Sequence, residues 1–508
     1  MNANQTLVWF AGHELRLAWR DWAAIMAGGR TTRERLVTAI VLMFALGLHG
    51  LAYAILQPIL KNGVDVNLPT LVVLSAALLT TFSMMLSQAI EHVTRAFYAR
   101  ADLDLILSSP APARHLFAVR MLAICVTGAL MTALVASPFI NVAAALDGVH
   151  WLSAYSVIMA SSALATGLAL ALAMILFQTL GPKRTRVVAQ VVAAVVGAAL
   201  LISIQAVAVV SYGNLSRMAV LTSPELLSAL PGAESWVWAP EKAMLGDARA
   251  ALSLLAASLA LLTLAILHYS ERFSAQVLAA AGTADELKHN SAQRRPYRAL
   301  TTVQALRAKE WSLLARDPWL LSQTLMQVLY LIPPALLLWR DMGTEHDVQV
   351  ILAPVLVMAF GQLAGGLGWL AISGEDAPDL VATAPVDMKT VTRAKIEAVL
   401  AVVIVGCCPF LAVLAYVSVP GCLAAAGGIA AASAAAIVIQ FWFRATAKRS
   451  QFRRRQVASK AATFSEAFSS LFWAGAAGFA AAGSWAAVIF VALALIVLPI
   501  TWSIRPRG

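Results

Sequence analysis

Charge is scarce in this chain. Asp, Glu, Lys and Arg make up 12% of its 508 residues, against 60% apolar side chains and a mean hydropathy of +0.78. A domain folded in water carries far more polar surface, so the composition excludes a soluble protein and makes lipid the solvent. Alternating strands of about ten residues are missing as well, and Ala and Leu dominate the apolar runs, which argues against a transmembrane barrel. Cysteine is rare. Cys125, Cys407, Cys408 and Cys422 lie in or beside apolar stretches with no CxxC spacing, so they read as small packing residues and no metal site is expected. There is no GxxxxGK[ST] loop, no HExxH and no GxSxG. No catalytic residue is therefore expected, and any energy for work must come from another chain. The first apolar patch, Leu7 to Ala11, is too short for a signal peptide.

What is present is a series of long uncharged runs, among them Leu36 to Leu60, Leu68 to Ile90 and Cys125 to Leu146. Each is long enough to cross a hydrocarbon layer of roughly 30 Å as a helix. The pattern predicts an all-α polytopic membrane protein with about 12 crossings. The first six fall near 36–60, 68–90, 116–147, 150–180, 187–211 and 250–269; the second six near 319–339, 350–372, 396–418, 420–443, 464–482 and 485–503. With the N-terminus inside, 32 of the 37 Lys and Arg fall in inner segments, leaving Lys61, Arg217, Lys242, Arg249 and Arg340 outside. That asymmetry places both termini in the cytoplasm and suits a bacterial inner membrane. The net charge of +11 thus reflects topology, and no nucleic-acid partner is expected. Trp151, Trp236, Trp238, Trp339, Trp485 and Trp502 sit at predicted helix ends, where interfacial anchors belong.

The two sets of crossings share an order of features. Glu14 precedes Arg20-Asp21 by six residues, and Glu310 precedes Arg316-Asp317 by six. A hairpin follows in each set, then an acidic segment: Asp104 leads Pro110 by six, and Asp379 leads Pro385 by six. Basic residues follow at matched offsets, Arg114 and Arg120 in one copy, Lys389 and Lys395 in the other. Such a series predicts two parallel six-helix repeats, 1–270 and 306–508, joined by a cytoplasmic linker at 271–305. The linker contains HNSAQRRPYR, whose Arg294, Arg295 and Arg298 have lipid head groups as an alternative role. A second basic run, Arg444 to Arg455, reads as an inner anchor. The first half adds an outer segment from about Tyr212 to Arg249, rich in Pro and Trp, expected to fold against the outer face.

Within the crossings, titratable groups are nearly absent, which disfavours proton- or sodium-coupled transport. His49 is read as a hydrogen-bonding residue. Gln57, Gln88, Asn141, Gln178, Gln205, Gln362 and Gln440 are expected to bond between helices, and Gln323 with Gln327 shares a face that can line a path. Gly361 to Gly365 is a GxxxG string that permits close helix approach.

These strings resemble the permease subunits of type-2 ATP-binding-cassette exporters, in the variant that fuses two halves. The likeness rests on Glu14…Arg20-Asp21 and Glu310…Arg316-Asp317-Pro318 ahead of each half, with DLDLILSSPAPARHLFAVR (Asp102 to Arg120) and APDLVATAPVDMKTVTRAK (Ala377 to Lys395) between second and third crossings. It implies that each of the latter forms a short coupling helix on a cytosolic ATPase, two copies of which bind ATP and magnesium; this chain itself holds no cofactor. It also implies an amphipathic helix at the start of each half. Leu103, Ile106 and Leu107 share a helical face that can fill a groove on a partner, and Leu380 and Val381 begin a smaller one. An Asp at such a helix start complements the dipole, and a Pro ends the helix. The second half's last hairpin, Gly483-Ser484, is too tight for the long outer re-entrant segment common in such permeases. The expected function is export of an amphipathic, lipid-like or peptide cargo. The alternatives are an integral-membrane lipid-modifying enzyme, for which Glu91 with His92 or Glu375 with Asp376 are candidate groups, and a non-transporting scaffold or immunity protein.

Overall fold

A computed structural model describes residues 31–61, 66–98, 113–212, 217–286, 300–316, 348–373, 378–443 and 460–504, with isolated positions at Gly12, Arg16, Leu329, Ile332, Pro333 and Leu336. Every regular element among the described residues is helical. Hydrocarbon offers the backbone no hydrogen-bonding partner, so each segment must satisfy its own N–H and C=O groups. Eight of the described helices are long and apolar enough to cross a membrane, and two shorter apolar helices, Ala45–Leu60 and Ala487–Ser503, accompany them. The chain is a polytopic helical membrane protein. Most of the crossing expected at 319–339 lies outside the described residues.

The chain divides into two compact units, 1–204 with 216–291, and 205–215 with 292–508. The first contains α1 (Thr31–Leu60), α2 (Leu68–Tyr98), α3 (Ala113–Asp147), most of α4 (Ala154–Val207), three short helices, and α8 (Ala248–Glu286). α4 is interrupted at Gly181, whose φ of 69° and ψ of 168° separate the spans Val149–Gly181 and Val187–Ser211. Glycine adopts this positive φ at little cost, which places the break where the basic inner loop is expected. Phe97, Phe117 and Phe177 join α2, α3 and α4, with ring centroids 6.5 Å and 4.9 Å from Phe97.

The outer segment folds into α5 (Arg217–Leu221), α6 (Pro224–Ala229), a 3-10 turn at Trp236–Trp238 and α7 (Ala239–Met244). Trp238 is buried against Leu71 and Val72 of α2, and its indole N–H donates to the carbonyls of Pro231 and Gly232 at 3.3 Å and 3.2 Å. The neighbouring Trp236 is 85% exposed. One Trp thus pins the segment to the helix bundle, and the other is left for the interface.

The second unit contains α9 (Thr302–Arg316), α10 (Val348–Ser373), α11 (Pro378–Thr383), α12 (Met388–Val417), α13 (Val419–Phe443), α14 (Lys460–Ala481) and α15 (Ala487–Ile504). Its core is set by small residues. α13 carries AAAGGIAAASAAA from Ala424 to Ala436. Lipid tails are as apolar as leucine, so helices in a membrane gain by close van der Waals contact rather than by leaving water. A Cβ built on Gly428 would fall 2.6 Å from Val357 Cγ2 and 3.1 Å from Ala477 Cβ, so α10, α13 and α14 meet there with no space to spare. Gly428→Val should cost about 1–3 kcal/mol by overpacking. A lowered unfolding midpoint of the detergent-purified protein would register this, and an unchanged midpoint would contradict the packing.

Candidate coupling surface and the buried polar contacts behind it

The acidic segment of the second unit forms α11 between α10 and α12. Pro378 opens it, a position at which its missing N–H and fixed φ are no handicap. Leu380 is 72% exposed, Val381 is half-buried and Pro385 is exposed just beyond the helix. Asp379 lies in the same helix. A further acid, Asp387, was not assigned from sequence; its carboxylate accepts the Lys389 N–H at 3.1 Å and caps α12. The first copy, with Asp102, Leu103, Asp104, Ile106, Leu107 and Pro110, lies outside the described residues, as do Glu14, Arg20, Asp21, Asp317, Gln323 and Gln327. Arg316 is the last residue of α9.

Behind α11 the three neighbouring helices are tied by buried charge. Glu310 of α9 is 1% exposed and Lys395 of α12 is 8% exposed. The Lys395 ammonium donates to both Glu310 oxygens, at 3.0 Å and 3.2 Å, and to the Ala371 carbonyl at 2.6 Å. Ala371 lies in the last turn of α10, whose carbonyls have no partner within the helix. A cation there satisfies an orphan acceptor and complements the helix dipole. Trp311, next to Glu310, is 45% exposed, so α9 turns its acid inward and an aromatic outward. The sequence marked Glu310 as part of a leading helix and supplied no partner for it.

A comparable contact exists in the first unit. Arg120 is 5% exposed, and its guanidinium donates to the Ala96 carbonyl at 3.4 Å, in the last turn of α2. Ala96 and Ala371 are 275 positions apart, and so are Arg120 and Lys395.

Nearer the surface, Glu397 accepts from Arg307 Nε at 2.6 Å and Arg393 Nε at 2.9 Å. Hydrogen bonding to Glu397, with its charge, raises the Arg307 guanidinium above its ordinary value. Met388, Lys389, Thr392, Arg393, Ile396 and Glu397 line an open groove here, about 550 Å³ in volume.

The sequence reading also missed Glu466, on a helix that is not among the eight apolar enough to cross a membrane. It is 9% exposed on α14, and the Gln440 amide donates to its Oε2 at 2.6 Å. A Cβ on Gly365 would overlap the Glu466 carboxyl, and one on Gly361 would lie 2.9 Å from Ser470 Oγ. The GxxxG string is thus where α10 admits the polar face of α14. Glu466, Ser469, Ser470 and Trp473 recur at i, i+3, i+4 and i+7, a signal for that face which the sequence carried. Other polar residues behave more simply. The Tyr155 hydroxyl donates to Asn141 Oδ1 at 2.9 Å, His49 Nδ1 donates to Ala45 O at 2.8 Å, and Gln178 and Gln362 are exposed instead of bridging helices. Cys125 and Cys407 are buried, Cys408 is exposed, and all four cysteines are free. No cluster of three His, Cys, Asp or Glu able to hold a metal occurs among the described residues.

No family model, curated protein or solved structure matches this chain.

Proposed function

We propose that the chain is the permease subunit of an ATP-driven exporter, with twelve crossings in two parallel six-helix halves and both termini cytoplasmic. Two copies of a separate cytosolic ATPase, carrying the ATP and magnesium, dock on the acidic segments. An amphipathic, lipid-like or peptide cargo suits the charge-poor interior.

The observation that carries this reading is α11. A short helix between two membrane-length helices presents a leucine that is 72% exposed, and an open groove lined by Lys389 and Arg393 lies along the first turns of the helix that follows. An exposed apolar knob on a rigid support is what a partner's pocket recognises. The matched carbonyl contacts of Arg120 and Lys395 support the repeat, and through it a second such segment at Asp102 to Pro110. The distribution of Lys and Arg supports the orientation.

Charge reversal at Asp104 together with Asp379 should abolish co-purification of the proposed cytosolic ATPase partner. Leu380→Glu should weaken it separately. Undiminished co-purification of the double reversal would overturn the proposal.

A further inference from the structure

We infer that Glu310, Lys395 and the Ala371 carbonyl form a staple that makes the leading helix α9 move with the docking segment. This rests on the reading of α11 as a docking site. Ala371 and Lys395 stand on either side of the segment from 372 to 394, one in the last turn of α10 and the other in the second turn of α12. The 2.6 Å contact between them closes that segment at its neck. The two bonds from Lys395 to Glu310 then add α9 as a third member of the same node.

The burial of this node gives it its stiffness. A surface ion pair can exchange either partner for water, whereas Glu310 at 1% exposure and Lys395 at 8% are shut off from it, with Lys309 adding a second cation 3.5 Å from the same carboxylate. Arg307 on Glu397 repeats the connection between α9 and α12 in an exposed form, which water and salt loosen. Force applied at Leu380 therefore reaches α9 through the buried pair. Trp311, one residue from Glu310 and facing outward, makes α9 an output at the inner membrane surface. Glu310 and Lys395 are positioning residues: neither meets a partner, and both fix what the segment can move.

The test uses the full chain with the cytosolic ATPase that the docking reading requires, co-expressed with it. An environment-sensitive fluorophore is placed at Thr383→Cys on α11 or at Trp311→Cys on α9, with the native cysteines replaced, and a non-hydrolysable ATP analogue is added. Both labels should respond in the otherwise unaltered protein. In the Glu310→Gln/Lys395→Met pair, which removes both charges and so leaves none buried alone, the label at 383 should respond as before. The label at 311 should lose about tenfold of its response. The conservative variant Lys395→Arg, which keeps the cation and its donors to Glu310 and the Ala371 carbonyl, should retain the response at 311. A full response at 311 in the neutral pair, with the ATPase bound, overturns the staple and leaves the docking reading standing. Failure of the ATPase to bind the unaltered chain overturns the docking reading, and the staple with it.

Discussion

Gly365→Leu should leave the second unit unable to fold. The Glu466 carboxyl occupies the space a side chain at 365 needs, and Gln440 holds it there. A larger residue forces one of two outcomes. Either α14 moves away from α10, opening the close approach of Gly361 to Ser470, or Glu466 swings off Gln440. Overpacking costs about 1–3 kcal/mol. A buried polar group that loses a hydrogen bond adds a further cost of about 1–3 kcal/mol. Together these approach the whole stability of a domain, on the order of 5–15 kcal/mol. The detergent-solubilised variant should elute as aggregate, and Gly365→Ala should give folded protein with a lower unfolding midpoint. A leucine variant that elutes and melts like the parent would show that the seam between α10 and α14 is not packed as described.

The second large effect is expected from breaking one side of the buried pair. Lys395→Ala leaves the Glu310 carboxylate, at 1% exposure, with only the longer 3.5 Å ion pair to Lys309 in place of two hydrogen bonds, and removes the donor from the Ala371 carbonyl. Loss of one partner from a buried ion pair costs about 3–5 kcal/mol, most of it the penalty of the charge left behind. Removing both charges is different, because isosteric neutral pairs are close to neutral in stability. Glu310→Gln/Lys395→Met should therefore melt within a few degrees of the parent, while Lys395→Ala melts far below it. The contrast is read in one experiment, thermal unfolding in detergent. Equal losses in both variants would mean that the pair is valued for its packing and not for its charge.

Both predictions concern residues whose importance was only half visible in the primary structure. Gly361 and Gly365 announced a close approach, but not the face that would fill it. Glu466 is not marked by the sequence because it lies near the start of the run expected to cross at 464–482, where a single acid reads as a boundary residue. Its neighbours Ser469, Ser470 and Trp473 carried the helical spacing that marks a buried polar stripe. Gln440 was expected to need a partner and has one. Gln362 was expected to need one too and is exposed, since an amide on a helix can face either way and one chain position does not say which. The exposed Leu380 followed from its place in a short segment between crossings.

Sequence alone determined the solvent, the helical class and the positions of the long apolar helices, and its basic residues carry the expected orientation. These depend on the length of apolar runs and on the cost of moving charge across lipid, quantities that add along the chain and need no knowledge of neighbours. It also supplied the offsets that match the two acidic segments. Only the tertiary structure decided which charges meet. That Lys395 spans from the end of α10 to Glu310 on α9, with 85 positions between lysine and acid, depends on where three helices cross. The energy of such a contact belongs to a desolvated pair in one geometry, and no local pattern in either partner's helix encodes it.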